Sequence, residues 1–341
     1  VSWEEVLREA EPSDARRGSL ATEFDPRNNA IGFLRLALAI LVIVGHTWPI
    51  GGFGGGPLSR WSRGDVGFGS LAVTGFFVLS GFLIARSLLE NPRLGRYLWH
   101  RSLRILPGLW AALLVTAVLF GPLFWLLGGG SIGSYFEIAP NGAGSYISKN
   151  WLLAVNQGTI DHVLSGVPFK DAINGSLWTL VIEFKCYLAL AALGMIAAKR
   201  QFRMVLPLAA LVLWLVQLWW LAVPSAAVAI PLLGGAEPLR LSIDFFVGTS
   251  FYVFRDRIPI DGRLAILAFL AFMLTVPFGS YRLVGGITVA YAMLWLACRL
   301  PIRSFDRRAD FSYGTYLYAF PVMQGLVLVG ARALGPLGFM L

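Results

Sequence analysis

Nine stretches of the chain are apolar over lengths that suit a membrane crossing: residues 31–50, 66–88, 102–127, 175–197, 204–222, 239–254, 264–278, 283–298 and 311–334. A hydrocarbon core of about 30 Å takes roughly 20 helical residues. Several of the later stretches are shorter, so their ends are soft. A backbone in lipid must satisfy its own hydrogen bonds, which favours helices. The pattern therefore predicts an all-α, polytopic integral membrane helical bundle of about nine spans. Residues 1–30 form a mixed-charge lead-in, and 31–341 form one transmembrane domain. Within that domain, a long connection at about 128–174 is rich in Gly, Ser and Asn. Residues from Pro224 to Pro238 are apolar but interrupted by Pro and Gly, the pattern of a re-entrant piece.

Basic residues orient these spans. With the N-terminus in the cytoplasm, the inner connections hold 19 Lys and Arg and the outer ones hold 7. This positive-inside bias predicts a multi-pass protein of the inner (plasma) membrane with a cytoplasmic N-terminus. The 128–174 connection then lies outside, long enough to cap an outward-facing site. An odd number of spans, and a first residue that is Val rather than Met, read as a chain trimmed at both ends. No cleavable signal peptide is legible before the first span.

Composition agrees. Hydrophobic residues make up 57% of the chain and charged ones 14%, with a mean hydropathy of +0.68. A soluble domain carries about 25% charged residues. The net charge of +9 does not point to nucleic acid, because the basic residues are scattered between apolar spans. Cys186 and Cys298 both sit in apolar segments and imply neither a disulfide framework nor a metal site.

Two ionisable residues inside the first span carry the strongest signal. Arg35 and His46 are eleven positions apart. At about 100° and 1.5 Å per residue, they share one helix face and lie about 16 Å apart along the axis. Asn28 falls on nearly the same stripe. Ionisable residues in a membrane span are costly and mark function by default. A cation near one end and a proton acceptor near the other point to chemistry on something long that lies along the helix.

Four further stretches contain candidate chemistry. In the second span, Gly75, Ser80 and Gly81 give a thin face for close approach of a ligand or simply of another helix. Ahead of the third, Arg93, Arg96, Arg101 and Arg104 with Pro107 read either as a phosphate clamp, which suits the planar guanidinium, or as a positive-inside anchor. Ser176, Leu180, Glu183 and Tyr187 share a face of the fourth. Glu183 there needs a partner, and Lys185 is poorly placed because residues two apart diverge. The alternative is a purely structural ion pair. Ser312, Tyr313 and Tyr316 open the last span as hydrogen-bonding groups or as an aromatic belt. His100 is interfacial. His162 lies beside Asp161 in the outer connection. No zinc-peptidase, serine-hydrolase or P-loop pattern occurs.

Together these motifs resemble the membrane acyltransferase 3 family. They appear in family order: Arg35-x10-His46, Ser80-Gly-Phe82, Arg101-x-x-Arg104 with Pro107, and Ser176-Leu-Trp-x-Leu-x-x-Glu183. Three departures stand out. Cys186 precedes Tyr187 where the family often has Phe. Tyr318-Ala-Phe-Pro321 lacks a late histidine. The chain stops at Leu341, before the further helix with which members, typically of ten spans, usually finish. The resemblance implies acyl-CoA, most often acetyl-CoA, as a cytoplasmic donor. It implies a carbohydrate or glycolipid acceptor such as O-antigen, exopolysaccharide, peptidoglycan or Nod factor, or in some members a macrolide.

On that reading no metal is expected. Arg101 and Arg104, with Arg93, Arg96 and Ser80, hold the donor. Arg35 anchors the donor or stabilises developing negative charge. His46 is the general base, suited by histidine's titration near neutral pH, or the acyl carrier. Glu183 orients His46 or binds the acceptor. Trp178, Ser176, Tyr187, Tyr313 and Tyr316 complete the acceptor site. Buried ionisable residues also suit a transporter or flippase for a lipid-linked sugar, against which stands the lack of an internal repeat. A membrane scaffold or sensor is a third reading.

Overall fold

A computed structural model describes residues 18–223, 234–303, 305 and 311–340. The long helices are α1 (Ile31–Gly51), α2 (Phe68–Glu90) and α3 (Leu94–Val115), which runs through a wider π turn at Thr116–Phe120 into α4 (Gly121–Leu127). After two short helices, α5 (Ile132–Phe136) and α6 (Ala143–Asn150), come α7 (Leu177–Ala197), α8 (Val205–Ala222), α9 (Ala236–Val253), α10 (Gly262–Thr275) and α11 (Tyr281–Arg299). The last are α12 (Phe311–Leu328) and α13 (Gly335–Met340). No strand occurs among the described residues beyond one isolated bridge, Ser19 with Pro259.

All nine apolar stretches are helical. Among the described residues, six helices are long and apolar enough to cross a membrane, or seven if the bent pair at the end is one span. Two of the nine stretches fall outside that set for visible reasons. Helix α9 carries Glu237, Arg240 and Asp244, and α10 with its 3-10 extension to Phe278 is short.

Boundaries differ most from the hydropathy pattern in two places. The third helix starts at Leu94 rather than 102, because the arginine-rich stretch is itself helical and buries Tyr97, whose hydroxyl donates to the Tyr187 carbonyl at 3.1 Å. The last helix stops at Leu328 rather than 334. Gly330 then adopts a left-handed backbone (φ 84°), and the chain turns by 89° into the segment Ala331–Met340. Of the Pro224–Pro238 stretch, 224–233 lie outside the described residues, and Pro238 sits in the first turn of α9. Residues 1–17 of the lead-in also lie outside them.

The bundle is built around α2. Against α9 it packs so closely that a Cβ added at Gly81 would collide with the Phe245 carbonyl, and one at Gly248 with the Val78 carbonyl. Small residues permit this approach where lipid offers no hydrophobic drive between helices. Gly81 is thus a packing glycine, the plainer of its two expected roles. A second close crossing joins Gly45 of α1 to Gly69 of α2, next to His46.

The 128–174 segment is ordered and docked. Tyr135, Tyr146, Ile160, Val163 and Leu164 are buried in it. Asn150 ties its loop by donating to the Gln157 carbonyl at 2.7 Å and accepting from Asn156 N at 2.8 Å. Gln324 of α12 donates to the Phe169 and Ala172 carbonyls, each at 2.9 Å. The π turn supplies another attachment. Pro122 has no N–H for the carbonyls behind it, and the Ala117 carbonyl instead accepts from the Tyr135 hydroxyl at 2.6 Å.

Gly248→Ala forces backbone apart at the α2–α9 crossing. It should lower stability by about 1–3 kcal/mol, read as a lower thermal midpoint in detergent. Gly314→Ala, where a Cβ meets nothing within 4 Å, is the matched control and should leave the midpoint unchanged or raised.

Candidate active site

Helix α1 is a single unbroken helix from Arg35 to His46, so both side chains project from one face as the spacing requires. Each opens onto its own chamber. The first chamber, of about 210 Å³, is lined by Arg35, Ser80, Arg101, Arg104, Glu183, Ser312 and Tyr313, among apolar side chains of α2 and α7. Three guanidinium groups face one carboxylate here, so the chamber is electropositive and suits a phosphorylated ligand. Glu183 is tied on one side: Ser80 donates to its Oε1 at 3.0 Å, and the Tyr187 hydroxyl donates to the same oxygen. Tyr313 donates to the Ile105 carbonyl at 3.2 Å, which pins α12 to α3.

The second chamber, of about 340 Å³, is lined by His46, Trp48, Pro49, Phe68, Trp178, Glu237 and Arg240, and by glycines including Gly45, Gly55 and Gly69. His46 rests edge-on against Phe320, with ring centroids 5.0 Å apart. Its Nδ1 is buried without a hydrogen-bond partner among the described residues. Pro49 has no N–H, so the Gly45 carbonyl four residues back loses its helical donor inside this chamber. That carbonyl, one residue from His46, is thus without its usual helical N–H.

Only Val73, Thr179 and Tyr316 line both chambers. The Tyr316 and Thr179 hydroxyls are 2.5 Å apart, and the Phe76 ring packs edge-on against Tyr316 at 5.7 Å. The two cavities are neighbours across this wall.

Beneath the His46 chamber lies a polar network that the sequence pattern did not reveal. Arg240 and Asp244, both buried, pair at 3.1 Å. Thr74 of α2 accepts from Arg240 at 2.6 Å and donates to Asp244 at 2.7 Å. The Tyr281 hydroxyl of α11 reaches Thr74 at 2.9 Å. Glu237 continues the network. It accepts from Arg240 at 3.0 Å and from Arg282 at 2.7 Å, and Arg282 donates in turn to Asp65 at 3.0 Å.

Most of the expected site residues come together, though in two groups. Arg35, Arg101, Arg104, Ser80, Glu183, Tyr313 and Tyr316 line the first chamber, while His46, Trp178 and again Tyr316 line the second. Tyr187 stands behind Glu183. Three residues are not brought in. Arg93 and Arg96 are exposed and line neither chamber. Ser176 is buried at the start of α7, where its carbonyl accepts from Thr179 at 3.0 Å and its hydroxyl has no partner among the described residues. Glu183 has no hydrogen bond to His46 among the described residues; its Oε1 accepts from Ser80 and Tyr187 in the other chamber. Sequence reasoning missed Thr179, Glu237, Arg240 and the Pro49-freed carbonyl. The spacing of Glu237, Arg240 and Asp244, three and then four apart, was the available signal.

A family profile described as an acyltransferase domain matches residues 28–340. The chain belongs to this acyltransferase family. Two relatives cover most of it. An "O-acetyl transferase" of Shigella phage Sf6 is 26% identical over 88% of this chain and 86% of its own length. The "Nodulation protein 10" of Rhizobium leguminosarum bv. viciae is 28% identical over 89% of this chain and 85% of its own. No solved structure matches. The match runs through both chambers, so this membrane acyltransferase has the paired cavities inside its family domain.

Removing one member of the Arg240–Asp244 pair leaves a buried, uncompensated charge. Arg240→Met or Asp244→Leu alone should cost about 3 kcal/mol or more, while the double variant should cost clearly less than the sum. Denaturant titration of the three variants measures the coupling.

Proposed function

We propose that the protein moves an acetyl group from cytoplasmic acetyl-CoA to a hydroxyl of a surface carbohydrate, with the N-terminus inside and the enzyme in the inner membrane. The observation that carries this reading is the adjacency of an arginine-lined chamber and a histidine-lined one along a single helix. Two further points support it: the positive-inside distribution of basic residues, and a relative that is named for O-acetyl transfer.

Arg101 and Arg104 hold donor phosphate through charge-assisted hydrogen bonds. Arg35 lines the same chamber and helps to anchor the donor. The acceptor enters the other chamber. There Trp178 and Trp48 offer flat faces to a sugar ring, and Glu237 and the Gly45 carbonyl offer acceptors for its hydroxyl protons. His46 takes the proton of the reacting hydroxyl. The oxygen attacks the thioester carbonyl carbon, the carbon–sulfur bond breaks, and the departing thiolate recovers the proton from His46. In the relay form His46 itself takes the acetyl group first and passes it on.

His46→Gln should abolish acetyl transfer in a protein that still elutes as a single species; transfer at the wild-type rate would remove His46 from the mechanism. An acetyl group trapped on His46 without acceptor, seen by mass spectrometry, selects the relay. Replacing Arg101 and Arg104 together by Ala should raise KM for acetyl-CoA by about tenfold or more, as expected for lost charge-assisted bonds, with a smaller change in kcat.

A further inference from the structure

We infer that the Thr179–Tyr316 hydrogen bond is a partition that shields the donor thioester from water until an acceptor is seated. This rests on the functional reading above and deepens it. Of the residues that line the chambers, only Val73, Thr179 and Tyr316 line both, so they form the wall between the arginine chamber and the His46 chamber. A group that passes directly from one chamber to the other meets these three side chains.

Hydrogen accounting fixes the direction of the bond. Thr179 has one hydroxyl proton, and it goes to the Ser176 carbonyl at 3.0 Å. Thr179 therefore accepts, and Tyr316 donates across the 2.5 Å gap. The bond spans two helices, α7 and α12, far apart in sequence. Thr179 is braced by its own helix start, while the Tyr316 ring is held at its edge by Phe76. The closed state thus depends on a single neutral hydrogen bond, which a seated acceptor hydroxyl can replace by taking the Tyr316 proton. Tyr316 and Thr179 act as positioning residues.

Such a partition answers a chemical problem. Water in the His46 chamber is an alternative nucleophile, since His46 can take a proton from water as it does from a sugar hydroxyl. The water oxygen then adds to the thioester carbon, the carbon–sulfur bond breaks, the departing thiolate recovers the proton from His46, and acetic acid and free CoA result. A closed wall suppresses this loss while no acceptor is present.

The test measures CoA thiol release from acetyl-CoA by the purified full chain with no acceptor, beside acetyl-CoA binding by equilibrium dialysis. Tyr316→Phe keeps the ring and removes the bond, and should raise acceptor-free release roughly fivefold, the population change expected on losing one neutral hydrogen bond. Thr179→Ala removes the bond and opens the wall, and should raise release further. Thr179→Ser keeps the hydroxyl and should return release to the wild-type level. Unchanged or lowered release in both loss variants, with acetyl-CoA binding intact, overturns the partition alone. A wild-type protein that binds no acetyl-CoA overturns the functional reading, and the partition's role falls with it.

Discussion

Charge placed in an apolar bundle must be partnered where it stands, and that constraint organises this protein. The buried Arg240–Asp244 pair shows it most clearly. Both side chains are almost wholly buried, and their helix alone does not supply all their partners. Thr74 and Tyr281 complete the shell from α2 and α11. Three helices are thereby locked in register beneath His46. Glycine contacts between α2 and α9 bring the partners close enough for these bonds to form. The network is a weak source of net stability, since desolvation offsets much of the attraction. Its use is to fix one arrangement and to floor one chamber.

The same constraint explains why polar groups divide between two chambers rather than gathering in one. Arginines 35, 101 and 104 come from α1 and α3 and meet Glu183 of α7. His46 stands three turns further along α1, among aromatic rings and glycines. A long ligand, charged at one end and reactive at the other, is what such a cavity pair can hold. Membership of the acyltransferase family gives that geometry its chemistry.

Sequence legibility follows the range of the interactions. Arg35 and His46 sit on one continuous helix, so a count of eleven residues places both. Arg101, Arg104, Ser80 and Glu183 were recognisable as polar residues in or beside apolar spans, and the structure brings them to one chamber. Contacts between helices were not legible. The hydropathy pattern counts Arg240 as an outer basic residue; its helix neighbours Glu237 and Asp244 were open to a reading of spacing, but Thr74 is met only once α2 and α9 are crossed. Glu183 pairs with Ser80 and Tyr187 rather than with His46, since it faces a different chamber. The bend after Leu328 turns on Gly330, a single left-handed residue inside an apolar run. Ser176 belongs to the helix start rather than to either cavity, a distinction that periodicity does not make.

On the proposed function, the donor would lie along α1 with its phosphates toward Arg101 and Arg104 and its thioester at the wall shared with the His46 chamber. A cryo-electron-microscopy map of the full chain with a non-hydrolysable acetyl-CoA analogue tests it most directly. The account expects density for the phosphates against Arg101 and Arg104, and the acetyl end beside Val73, Thr179 and Tyr316. An analogue seated elsewhere, or with its acetyl end on the far side of the bundle from His46, contradicts it.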